Sequence, residues 1–236
     1  DRTKMSKRSG EAAVAVGDWR REGYLPDALL SYLALLGFHP GDDREILSRD
    51  DLLACFALER VGKSGSVFDA DKLRWVNAHY LHHADGARLS EWAGGFLPAA
   101  ARGLDPGRLA DLLQGVRGNL STLADLPHEL APFLDGPLEF ETEAAAALTA
   151  ARAAEVCTAL AAALADLAQW SGEQVKSALQ SVGRTLGLKG RDLFQPVRAA
   201  LTGRTHGPEL PLVAELLGRE RCLARLSAVA DMARRP

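Results

Sequence analysis

The sequence predicts a nearly all-α protein, a multi-domain array of helices. Three observations carry this expectation. Apolar side chains recur at helical spacing behind capping residues in segment after segment. A long alanine-rich run has high intrinsic helix propensity. Strand patterns are scarce, the best being the short run Ala12 to Val16.

Taken in order, Leu29, Leu30, Leu33 and Leu36 fall at helical spacing between Leu25 and Leu36, with Pro26 in the first turn and Gly37 just past the end. A second helix starts near Ser48-Arg49-Asp50-Asp51. A third begins at Asp69, whose carboxylate can cap the helix carrying Leu73, Val76 and Tyr80. Between them Gly62 to Ser66 reads as loop. Asp105-Pro106 pairs a cap with a first-turn proline and opens a helix to about residue 117, with Leu109, Leu112, Leu113 and Val116 on its apolar face. Glu143 to Trp170 is the alanine-rich run, whose small side chains predict close helix packing. Ser171-Gly172-Glu173-Gln174 has the form of a capping box, with Val175, Leu179, Val182 and Leu186 behind it and Gly187 as the stop. Two or three shorter helices follow, punctuated by Gly203, Gly207, Pro208, Pro211 and Gly218.

At 236 residues and 47% hydrophobic, the chain can bury a proper core. The longest low-charge stretch, Ala144 to Ala165, is mostly alanine and interrupted by Arg152 and Glu155, so no membrane span is expected. Asp1-Arg2-Thr3-Lys4 has neither an initiator methionine nor an apolar signal core, which we read as the start of a fragment. Cys55, Cys157 and Cys222 form no Cys-x-x-Cys pair, which fits a reducing, cytoplasmic setting. His82-His83 lacks partners at ligand spacing, so no bound metal is expected.

The formal net charge is −3, unevenly spread. From Leu130 to Trp170 six acids face one base, Arg152, a balance of −5, and this stretch is expected to face away from phosphate. From Ser171 to Pro236 eleven bases face six acids, a balance of +5 that could meet RNA.

The sharpest chemical pattern is Lys4-Met5-Ser6-Lys7-Arg8. Forming an aminoacyl adenylate expels pyrophosphate, and mobile ammonium groups stabilise the charge that builds on the leaving phosphates. Lys4 and Lys7 flank Ser6, with Arg2 and Arg8 beside them and Gly10 behind. Five such residues alone are a weak signal, and an exposed basic tail would look the same.

The residues downstream make the pattern specific. The loop resembles the Lys-Met-Ser-Lys-Ser signature of class I aminoacyl-tRNA synthetases, with Arg8 at the place where glutamyl enzymes commonly carry arginine. Gly23-Tyr24-Leu25-Pro26-Asp27-Ala28-Leu29-Leu30, Val67-Phe68-Asp69 with Lys72-Leu73, Phe194-Gln195-Pro196-Val197-Arg198, Leu201-Thr202-Gly203 and Glu215-Leu216-Leu217-Gly218 are all similar to segments of bacterial-type glutamyl-tRNA synthetases. The chain resembles the C-terminal part of that family, from the lysine loop onward.

The resemblance implies four parts: residues 1–20 as the end of a catalytic domain, 21–84 as stem-contact helices, and 85–141 and 142–236 as two anticodon-binding helical subdomains. It implies a parent enzyme that joins glutamate to tRNA(Glu) through an ATP-derived glutamyl adenylate, with magnesium accompanying ATP, and an expected monomer. Lys7 is the lysine that meets ATP, Lys4 supports it, and Ser6 and Arg8 share the nucleotide site. No His-x-Gly-His occurs, so this chain is expected to bind tRNA without charging it. For the anticodon the resemblance implies Gln195 and Arg198, with the loop around Pro208 and Leu210 lying against the bases. Gln offers a donor and an acceptor to a base edge, and Arg can pair or stack. Some members that reject the glutamine tRNA carry Arg-x-Arg before a Thr-Leu pair, whereas Arg117-Gly118-Asn119 precedes Thr122-Leu123 here. The missing second arginine puts discrimination at the third anticodon base in doubt, and tRNA(Gln) enters as a hypothetical second substrate. The alternative is a noncatalytic helical RNA-binding paralogue of the same family.

Overall fold

The computed structural model describes residues 15–62 and 66–232. Among them are thirteen α-helices: α1 (Val16–Arg21), α2 (Pro26–Gly37), α3 (Arg49–Cys55), α4 (Ala70–His83), α5 (Gly86–Ala93), α6 (Pro106–Val116), α7 (Leu126–Leu130), α8 (Thr142–Leu148), α9 (Ala153–Ala165), α10 (Gly172–Leu186), α11 (Arg191–Thr202), α12 (Leu210–Leu217) and α13 (Arg219–Met232). The described residues contain no extended strand, only an isolated antiparallel bridge between Phe38 and Val61. The strand expected over residues 12–16 is corrected at its end: Ala15 is an extended N-cap and Val16 opens α1, while residues 12–14 lie outside the described residues.

Helix starts follow the local chemistry. The Ser48 hydroxyl accepts from the Asp51 N–H while Asp51 reaches back to the Ser48 N–H, a closed capping box. Carboxylates of Asp69, Asp85 and Asp105 accept from the backbone N–H groups of Lys72, Arg88 and both Gly107 and Arg108. Ser171 accepts from Gln174, and Gly187 closes the same helix in the left-handed conformation at φ 65°.

The chain divides into two compact units. One comprises residues up to Arg102 together with Leu120–His128; the other comprises Gly103–Asn119 and everything from Glu129. In the first, α2 packs on α4, and an aromatic cluster gathers Trp19, Tyr24, Tyr32 and Phe68 with ring centroids 5.0–5.5 Å apart. The Tyr32 hydroxyl accepts from the Asp69 N–H at 2.6 Å, fixing the entry to α4. Fully buried Asn77 accepts from the Leu25 N–H at 2.8 Å and donates to the Ser121 carbonyl at 2.6 Å, tying the start of α2 to the 120–128 segment.

The leucines whose spacing predicts α2 do not all lie on its buried face. Ala28, Leu29, Ser31 and Tyr32 are buried, whereas Leu30 and Leu33 are exposed. The reason is Tyr32: its ring must reach Phe68 and its hydroxyl Asp69, and that rotation turns Leu30 and Leu33 outward. They are not isolated in sequence, for nine of the eleven exposed large apolar side chains among the described residues fall between Val16 and Trp75.

In the second unit α13 packs most extensively on α9, and α11 is central, touching α8, α9, α12 and α13. Buried Ala153, Val156, Cys157, Leu160 and Leu164 make the inner face of α9, so the small residues do serve close packing. The alanine-rich run is not continuous helix, however. It breaks at residues 149–152, and α8 and α9 meet at 81°. No single described helix is long and apolar enough to cross a membrane; this bent pair passes only on combined length and composition.

Candidate nucleic-acid interface

The residues expected at the anticodon are carried by α11, the loop after it, and the turn after α6. Arg191 opens α11 and its guanidinium donates to the Gln195 side-chain oxygen at 2.7 Å. One turn on, half-buried Arg198 donates to the Pro208 carbonyl, which pins the loop to the helix. Burial pulls the Arg198 guanidinium below its ordinary pKa, and Glu209 partly offsets this. It stays cationic at neutral pH.

Gly203 ends α11 in the left-handed conformation at φ 72°, and a Cβ there would lie 1.9 Å from the Glu139 carbonyl oxygen. Only glycine fits this crossing, which the Glu141 N–H to Gly203 carbonyl bond at 2.9 Å closes. The loop then runs past buried Arg204, whose guanidinium lies 3.4 Å from Glu129 and 3.5 Å from Glu141. His206 lies 4.0 Å from Glu141, and the Thr205 hydroxyl donates to Glu143 at 3.3 Å. The acidic stretch expected to face away from phosphate therefore contributes two carboxylates to the scaffold of this loop.

Gly207 brings the pieces together. A Cβ there would sit 3.6 Å from the Arg198 Nη1 and 3.8 Å from the Asn119 Nδ2, so two side-chain nitrogens from different segments border one bare backbone position. Its φ of 132° also favours glycine. Asn119, at the end of a 3-10 turn over Arg117–Asn119, is exposed and donates to Glu129 at 2.9 Å. Arg117 on the same turn is half-buried.

The structure thus gathers Asn119, Arg198 and Pro208 around Gly207, with Gln195 one turn back on α11. Leu210 stands apart: it is 5% exposed, the first residue of α12, and its side chain is committed to the core. Lys4, Ser6, Lys7 and Arg8 lie outside the described residues. The sequence marks none of Arg204, Glu129, Glu141 and His206 as a site residue. Their only signal is charge, and 75 residues separate Glu129 from Arg204.

Elsewhere, His82 and His83 meet the backbone carbonyls of Leu120 and His79, and no cluster of three metal-ligating side chains occurs among the described residues.

Comparison with known proteins places the chain in a family. Residues 86–230 match the anticodon binding domain, and residues 1–75 match the catalytic domain of class I tRNA synthetases for E and Q. The chain belongs to the glutamate-tRNA ligase family.

Among relatives, the glutamate-tRNA ligase of Carboxydothermus hydrogenoformans is 37% identical, covering 92% of this chain and 46% of its own length. Glutamate-tRNA ligase 2 of Syntrophus aciditrophicus is 39% identical over 98% of this chain and 48% of its own. A crystal structure of the glutamate tRNA ligase of Elizabethkingia meningosepticum superimposes with a TM-score of 0.76 at 25% identity, covering 90% of this chain and 42% of that one. The chain spans about half the length of the glutamate-tRNA ligase relatives it matches. The residues grouped around Gly207 all fall within the anticodon-binding match.

Proposed function

We propose that this chain is the tRNA-gripping portion of a glutamate-tRNA ligase and binds tRNA(Glu) through the surface around Gly207. The observation that carries this reading is the convergence of Asn119, Arg198 and Pro208 on that glycine, inside the anticodon-binding match. A cation, an amide and a half-buried loop backbone form a donor and acceptor set of the kind that reads unpaired bases by their edges. Arg198, fixed by Pro208, loses little ordering entropy when it meets a base.

On this reading the whole enzyme, cytoplasmic and monomeric, joins glutamate to tRNA(Glu) with ATP through a glutamyl adenylate. Lys7 and Lys4, with Ser6 and Arg8, serve the nucleotide there, and magnesium comes with ATP. The residues needed to bind glutamate are not recognisable in this chain, so it binds tRNA without aminoacylating it. The departure at Asn119 supports acceptance of tRNA(Gln) as well.

Two measurements test the reading. Fluorescence anisotropy of labelled tRNA(Glu) transcript should show saturable binding that weakens roughly ten-fold for Arg198→Ala, in line with loss of a base contact. Equal binding of a transcript with a scrambled anticodon would refute recognition at this surface. Glutamyl-tRNA formation by this chain alone would refute the division of labour.

A further inference from the structure

Beside Gln195 and Arg198, α10 and α11 enclose an open groove of about 480 Å³. Gln180, Arg184 and Gly187 form one wall, Lys189 and Gly190 the turn, and Phe194 the other wall, with Leu188 and Leu193 making the surface largely apolar. A Cβ at Gly187 or Gly190 would meet nothing within 4 Å, so the backbone lies bare toward this space. Phe194 is one of only two exposed large apolar side chains among the described residues after Trp75.

The charge around it is positive. Arg184 and Lys189 line the groove and no acid does. Just outside, Arg152 donates to the Leu186 carbonyl while paired with Glu155, and Arg191 and Asp192 stand exposed at the start of α11. The groove and the surface around Gly207 draw on the same side of α11. At 3.6 residues per turn, Phe194, Arg198, Arg191 and Gln195 fall in a stripe about 100° wide on one side of α11. Phe194 and Arg198 stand one turn apart, about 6 Å along the axis.

We propose that this groove holds an unpaired RNA nucleotide adjoining those that face Gln195 and Arg198, its base stacked on the Phe194 ring and its phosphate facing Arg184 and Lys189. An exposed aromatic ring beside basic side chains is the element that single-stranded nucleic acid uses, because every base has a face to stack whatever its edges. Phosphate attraction to Arg184 and Lys189 orients the strand without reading sequence. Bare glycine backbone lets the ribose approach. This inference rests on the proposed anticodon-loop function and extends it by one nucleotide that is held but not read.

The test uses the whole chain and a labelled anticodon stem-loop RNA of tRNA(Glu). Phe194→Ala should weaken binding roughly ten-fold, the scale of a lost base stack, and Phe194→Trp should restore it. Because the ring is half in solvent, the variant should melt with the wild type. Replacing both Arg184 and Lys189 by Gln should flatten the dependence of log affinity on log salt by about 0.7, the slope of one single-strand phosphate. An abasic substitution at one loop position outside the anticodon triplet should cost the wild type affinity and cost Phe194→Ala nothing further. If Phe194→Ala binds like the wild type while Arg198→Ala weakens, the groove proposal alone falls. If the wild type does not bind the stem-loop, the anticodon reading falls and takes this proposal with it. Concentration-dependent self-association that Phe194→Ala abolishes, with RNA binding intact, would assign the groove to a second copy and overturn the proposal.

Discussion

Asn119 donates its side-chain amide to Glu129 at 2.9 Å, and the other oxygen of that carboxylate lies 3.4 Å from the buried guanidinium of Arg204. The proposed base-reading amide is therefore held by an ion pair in the interior of its own unit.

That pair is expected to matter for stability. Arg204→Met removes the buried guanidinium that lies between Glu129 and Glu141. Removing one partner of a buried pair typically costs about 3–5 kcal/mol. Urea unfolding should show the loss, and RNA affinity of the folded fraction should fall as Asn119 loses its anchor. An unchanged urea midpoint would show that the pair holds nothing.

Asn119→Arg offers a test of specificity. A longer, charged side chain beside Glu129 and Gly207 supplies the second arginine of the Arg-x-Arg pattern that the sequence resemblance implies for discrimination. Binding of stem-loops from tRNA(Glu) and tRNA(Gln) should diverge by roughly ten-fold in favour of the former, the scale of about 1–3 kcal/mol for a base contact. Equal affinities in the variant would remove Asn119 from the specificity argument.

Asn77 is the corresponding polar joint of the other unit. Asn77→Ala strands the buried Leu25 N–H without an acceptor and leaves the half-buried Ser121 carbonyl without its donor. The expected cost is about 3 kcal/mol. Hydrogen exchange should rise most at Leu25 and at the start of α2.

At Gly203 the obstacle is backbone. Gly203→Ala places a Cβ 1.9 Å from the Glu139 oxygen at a φ of 72°, so either α11 unwinds at its end or residues 138–141 move away. A loss above about 2 kcal/mol is expected. Gly118→Ala, where a Cβ meets nothing within 4 Å, is the control and should be close to neutral.

Stability should also carry an alkaline signature. Burial pushes the thiols of Cys157 and Cys222 from their ordinary 9.0 up to about 12. The unfolded chain then releases these protons first, so stability present below pH 9 is lost as pH rises toward 12. Each thiol contributes at most about 1.4 kcal/mol per pH unit in that window. The urea midpoint of Cys157→Ala/Cys222→Ala should fall less steeply between pH 9 and 11 than that of the wild type. Parallel slopes would show that both thiols ionise freely in the native state.

What was legible in the sequence was local. Ser48, Asp69, Asp105 and Ser171 cap helices where their side chains sit within three residues of the N–H groups they satisfy, and a single chain records that spacing. The α2 leucines gave the helix but not its buried arc, since four leucines at helical spacing do not say which arc meets the core, and Tyr32 decides that through Phe68, thirty-six residues on. Alanine propensity is equally silent about a break, since residues 149–152 are themselves half alanine. Gln195, Arg198, Pro208 and Asn119 came from family resemblance, whereas the Glu129, Arg204 and Glu141 framework behind them depends on contacts no local pattern records.

The crossing at Gly203 has a consequence for when this surface can exist. Glu141 and Gly203 meet backbone to backbone, Glu129 and Arg204 meet across 75 residues, and neither α11 nor its following loop holds these partners in its own stretch of chain. Closing such loops costs entropy that only the finished packing returns. A peptide spanning α11 and the next loop would carry Gln195, Arg198 and Pro208 yet lack the walls that aim them. On the proposed reading, affinity for RNA at this surface is thus a readout of completed tertiary assembly, present only while α8 and α11 stay packed together.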